Sequence, residues 1–89
     1  MKKHKRERHN PIKERYMTLF FKEIGMKARD GKTVYISKEH HERINKILHV
    51  IGKNEVSLFG YIYNVLEQHF AENKEVITKL YVNNREDIF

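Results

Sequence analysis

Five of the first eight residues carry permanent positive charge: Lys2, Lys3, Lys5, Arg6 and Arg8. A run of this kind does phosphate chemistry, because ammonium and guanidinium groups neutralise a polyanion backbone and release its counterions whatever the base sequence. Such an arm could track duplex DNA or enter a minor groove. A solvated tail is the plainer reading of the same composition. A second place suited to phosphate is the stretch Lys53, Asn54, Ser57 and Leu58. Ser57 is placed to cap a helix, and the first backbone N–H groups of that helix, beginning at Leu58, have no intrahelical acceptor. The helix dipole adds to their attraction for an anion. Lys53, Asn54 and the Ser57 hydroxyl would supply further contacts, although a serine is also needed there for capping alone. Contacts of this sort set register and do not read base sequence.

Other chemistries find little support. Six histidines are present (His4, His9, His40, His41, His49 and His69) and no cysteine. No pair of histidines has zinc-protease spacing: His41-Glu42 is followed at position 45 by asparagine. Without thiolate ligands the expectation is no metal and no cofactor. His69 falls on the apolar side of its helix, where packing at an interface is the simpler role. There is no glycine-rich phosphate loop, no nucleophile–base order and no paired acid cluster, so the chain is not expected to be an enzyme.

Charge is unevenly distributed. Residues 1–38 hold twelve Lys/Arg against four Asp/Glu, whereas residues 39–89 hold six against eight, within a net charge of +6. The excess positive charge therefore lies in the first two-fifths of the chain, as in a polyanion-binding end joined to an ordinary solvated body. The 89 residues are enough for one domain, but one that buries only about 60–65% of its unfolded surface. Sharing a core between two copies would relieve that shortage. No apolar run approaches the roughly 18 residues of a membrane span, and no signal-peptide core follows the charged start, so a cytoplasmic protein without a membrane contact is expected.

The elements that must position these groups follow from spacing. Asn10-Pro11 reads as a helix start, and Ile12, Tyr16, Leu19, Phe20 and Ile24 recur at helical intervals up to Gly25. A helix over residues 11–24 results, with Asp30-Gly31 as a turn beyond it. Thr33, Val34, Tyr35 and Ile36 form the one convincing strand, with Val34 and Ile36 on one face and Thr33 and Tyr35 on the other. Ser37 caps a helix over about residues 38–51, closed by Gly52. Ser57 opens a further amphipathic helix through Leu58, Ile62, Val65, Leu66 and Phe70, which can continue past Val76, Ile77 and Leu80.

A lone strand cannot satisfy its own N–H and C=O groups, and pairing with the same strand of a second copy is the economical answer. Strand, helix and helix in a dimer is the pattern of one DNA-binding architecture. From Lys32 to Phe70 the chain resembles the ribbon-helix-helix repressors, on residues 33–37, on the turn from Gly52 to Ser57 and on residues 61–67. A wider resemblance, on residues 31–39 and 64–70, is to small proteins encoded by conjugative transposons of Bacteroidetes, which carry a domain of unknown function or a conjugal-transfer label.

The first resemblance implies a mainly α chain with one short strand, dimeric through an intermolecular two-stranded ribbon. It divides the chain into a basic arm (1–10), an N-terminal helix and linker (11–31), the ribbon-helix-helix domain (32–82) and a tail (83–89). It implies that the ribbon enters a major groove with Thr33 and Tyr35 facing the bases. Tyr35 could equally cover its neighbour across the ribbon. The second resemblance implies a mobile-element setting, with transcriptional regulation or transfer as the role and double-stranded DNA, a homodimer mate and a conjugation or partition protein as partners. The alternative is a protein-interaction module, antitoxin-like or a scaffold, whose N-terminal helix docks a partner through Met17, Phe20 and Phe21.

Overall fold

The computed structural model describes residues 10–84, and the basic residues Lys2 to Arg8 and the end of the proposed tail lie outside them. Asn10 starts the first helix as its spacing to Pro11 predicts. Its side-chain oxygen accepts from the N–H groups of Ile12 and Lys13, both at 3.1 Å. Helix α1 then runs Pro11–Phe20. Asn10→Ala removes the acceptor of two otherwise unpaired donors. It should cost about 1 kcal/mol of stability, read as a lower urea midpoint with an unchanged slope.

Helix α1 is four residues shorter than its apolar spacing predicts, and Gly25 is not its cap. Phe21 leaves the helical region at φ −117°, ψ 18°. The cause lies elsewhere in the chain. For the helix to continue, the Phe20 carbonyl would have to accept from the N–H of residue 24. It accepts instead from the Asn64 side chain, at 3.0 Å, and the Lys22 carbonyl does the same at 2.9 Å.

A single 3-10 turn, Ala28–Asp30, interrupts the connection that follows. Residues 32–37 have no regular structure, and none of the described residues belongs to a strand. The expectation of a strand over residues 33–36 is therefore corrected. With it falls the ribbon-helix-helix fold, which is defined by that ribbon. High β propensity describes side chains that fit a pleated, half-covered surface. It makes no strand where no second extended segment lies alongside.

Helix α2 spans Lys38–Val50, with the Ser37 hydroxyl accepting from the His40 N–H at 3.1 Å. Its exit is tight. Lys53 and Asn54 both adopt left-handed backbone conformations, at φ 52° and 61°. The Asn54 N–H returns to the Leu48 carbonyl at 2.9 Å. Gly52 follows the helix as expected, but the left-handed positions are its two successors.

Helix α3, Leu58–Asn84, is a single rod that absorbs the proposed tail's first residues. Both other helices pack on its first half. Phe20 and Phe21 bring their rings to Tyr61, with Phe21 and Tyr61 centroids 5.5 Å apart, and Tyr16 packs on Phe20. The Tyr16 and Tyr61 hydroxyls are hydrogen-bonded, and burial pushes the Tyr61 hydroxyl far above the usual tyrosine range. Leu48 and Tyr61 are the only fully buried hydrophobic residues among those described. Asn64, 1% exposed, is the fully buried polar one. The core is therefore a small aromatic cluster strapped across one face of α3, and much of that helix's apolar surface remains uncovered.

Candidate functional site

A wide concavity lies on the face of α3 away from α1. It is a groove of about 560 Å³ between the irregular segment 32–36 and the first three turns of α3. Phe59, Ile62, Tyr63 and Leu66 form its floor, and Thr33, Val34, Tyr35 and Ile36 form its wall. Phe59 and Tyr63 stand one turn apart with ring centroids 6.3 Å apart. A hydrogen bond to the Glu67 carboxylate holds the Tyr63 hydroxyl above the ordinary tyrosine range. Apart from the Tyr63 hydroxyl, the floor is apolar.

Thr33 and Tyr35 are thus together at one site, but as groove wall rather than as one face of a ribbon. Tyr35 is 95% exposed and Val34 79% exposed. The alternation expected of a strand, with Val34 inward and Tyr35 outward, is lost along with the strand itself.

The Lys53–Leu58 corner holds together differently from the expected phosphate cradle. The Ser57 hydroxyl accepts from the Gly60 N–H at 3.0 Å, so it serves as the helix cap. The Asn54 amide lies 3.2 Å from the His49 ring nitrogen. Leu58 turns its side chain to the groove. Lys53 remains exposed and makes no ion pair.

A second feature is electrostatic. Lys22, Lys27, Arg29, Lys32 and Lys38 all lie exposed in or beside the segment linking α1 to α2. None of the five forms an ion pair; the pairs between described residues are Arg15–Glu72 at 3.9 Å and Arg43–Glu39 at 3.3 Å. In sequence this strip continues the cations of residues 2–8, which lie outside the described residues.

The proposed docking anchors of α1 are otherwise engaged. Phe20 and Phe21 face Tyr61 of the same chain, and Met17 is partly exposed. Of the histidines within the described residues, His41 and His69 each lie beside an asparagine one turn on, Asn45 and Asn73. No helix among the described residues is long and apolar enough to cross a membrane.

Sequence reasoning missed the groove. The signal for it was the breadth of the apolar surface on α3. Tyr61 and Val65 face the other helices, whereas Phe59, Tyr63 and Leu66 point elsewhere, so one helix carries two apolar faces and only one is needed for its own core.

Residues 1–84 match the family described as a protein of unknown function, DUF3408. The chain belongs to the DUF3408 family. No curated protein and no solved structure matches it. Membership in DUF3408 attaches no reaction, ligand or partner to the groove or to the basic strip, so both are read on their own chemistry.

Proposed function

We propose that this DUF3408 chain is a DNA-binding accessory protein that grips the phosphate backbone through its basic N-terminal two-fifths. One observation carries the reading. Five exposed cations between Lys22 and Lys38 have no carboxylate partner, and they extend a run of five more at the N-terminus. Cations left unpaired by the fold keep their full attraction for an external polyanion, and ten on one segment can span several phosphates. The β-ribbon has no part in this mode. Binding is therefore tolerant of base sequence, because phosphate contacts position a protein without reading bases. A regulatory or transfer role in a conjugative element is the setting that the sequence resemblance implies for such an activity.

Titration of a labelled duplex by fluorescence anisotropy at several salt concentrations tests this. Each phosphate neutralised contributes about 0.9 to the slope of log affinity against log salt, so six or more contacts weaken binding by about a thousandfold or more between roughly 50 and 200 mM salt. Changing Lys22, Lys27, Arg29, Lys32 and Lys38 together to glutamine should reduce that slope by up to about 4.5. Undetectable binding at the lowest salt, or an unchanged slope in the quintuple variant, would overturn the proposal. Docking of a protein through α1 has less in its favour, since the aromatic face it would use is turned to Tyr61.

A further inference from the structure

Beyond the groove, α3 continues with a largely exposed apolar stripe. Leu66, Phe70, Asn73, Ile77 and Leu80 succeed one another at intervals of four, three, four and three residues. That is the spacing of a helix seam built to pack against another helix. At about 100° per residue, Phe59, Tyr63, Leu66, Phe70, Ile77, Leu80 and Tyr81 all fall within roughly 60° of one line along the helix. The groove floor and the seam are therefore one continuous face. It lies opposite the Tyr61–Asn64 face on which α1 sits.

We propose that a second copy of this chain covers this face in a two-fold dimer, the free half of α3 from each copy lying antiparallel in the groove of the other. The two features are complementary parts of one interface. The groove is lined mainly by apolar side chains, and the second half of α3 presents an exposed apolar face. A helix laid in an apolar groove is a recurrent mode of association, and a two-fold axis pairs both features of both copies at once.

The register follows from the spacing. Placing Leu66 against Ile77 of the partner subunit sets Tyr63 against the partner's Leu80, and the reverse. The same register brings Glu67 beside the partner's Lys74, twice by symmetry. Neither residue forms an ion pair within its own chain. Asn73 brings its own acceptor, donating to the His69 carbonyl at 2.8 Å. A single polar position of this kind narrows the choice of register at some cost in stability.

Area supports a second copy. Leu66, Phe70, Ile77, Leu80 and Tyr81 are each 38–58% exposed, and Val34 and Tyr35 more so. Together they present on the order of 800 Å² per copy, the size of one side of a standard stable interface. Residues 1–9 contain no apolar side chain except Met1, so they offer no apolar helix face to match the groove. This inference does not depend on DNA binding.

Analytical ultracentrifugation of the full chain gives the first test, with a concentration-dependent dimer expected. Ile77→Glu combined with Leu80→Glu should raise the dissociation constant by about a hundredfold or more, equivalent to at least about 2.7 kcal/mol. Both side chains are exposed in the single chain. Its helical circular dichroism should therefore survive, which separates lost association from lost folding.

Glu67→Lys should weaken the dimer and Glu67→Lys with Lys74→Glu restore it. The chain has no cysteine, so orientation can be read by disulfide trapping. A mixture of Leu66→Cys and Ile77→Cys chains should cross-link mainly between the two variants. A chain that stays monomeric throughout, a dimer indifferent to the glutamates, or cross-links mainly between like variants would overturn the proposal.

Discussion

Asn64→Leu should destabilise the protein by about 2–4 kcal/mol, one of the largest losses expected of any single substitution here. The Asn64 side-chain amide donates to the carbonyls of Phe20 and Lys22, at 3.0 and 2.9 Å. Leucine has the same branching, a larger volume and no donor, so both carbonyls lose their side-chain partner and the fully buried site is overfilled. Stranding a buried polar group costs roughly 1–3 kcal/mol, and at these two part-buried contacts the loss of both donors adds to the overpacking. The amide's own oxygen has no partner among the described residues, so the stabilisation rests on the nitrogen side. Asn64→Asp should therefore be at least as damaging. It turns both carbonyl contacts into repulsions and leaves a buried charge unpaired.

For a chain of this size such a loss lowers the melting temperature by at least about 10 °C. It should also free α1, because these two hydrogen bonds join its end to α3. Limited proteolysis between Phe21 and Lys32 should accelerate more than global unfolding accounts for. A leucine variant melting with the parent would show that the α1 carbonyls do not depend on Asn64.

Gly52→Ala should cost about 1–3 kcal/mol, by overfilling rather than emptying the core. A methyl group at that position would stand 2.7 Å from the Phe21 ring and 3.2 Å from the Leu48 carbonyl oxygen. The ring cannot move freely, because it packs on Tyr61. The origin of the loss can be isolated by a double-mutant cycle. In a Phe21→Ala background the obstructing ring is gone, so Gly52→Ala should become nearly neutral, and the two changes should add to much less than their sum. Full additivity would mean that Gly52 matters for its backbone and not for the space it leaves.

Both residues stand in motifs that the sequence made visible, yet neither role could be read there. Gly52 follows an apolar stripe and so reads as a helix terminator. Its actual constraint is the approach of a ring from thirty-one positions earlier in the chain. Asn64 sits mid-helix, where asparagine is a mediocre helix former. Its value appears only once α1 is laid across α3. The same contact explains why the spacing of Ile12 to Ile24 overstates the length of α1. The periodicity is real, but the carbonyl needed to extend the helix is taken by Asn64.

The features legible from the residues alone are local. Asn10, Ser37 and Ser57 cap three helices because a side-chain oxygen reaches an N–H two or three residues on, whatever the rest of the chain does. The stripes of α2 and α3 follow from helical repeat alone, and the charge asymmetry is a matter of composition. The tertiary structure decided the rest. It determined that residues 33–36 form no strand, where α1 stops, and which of the two apolar faces of α3 becomes core and which a groove. The physical division is one of range. A cap finds its partner within one turn, whereas a strand, a helix's last carbonyls and a ring's neighbours need groups that only folding brings near.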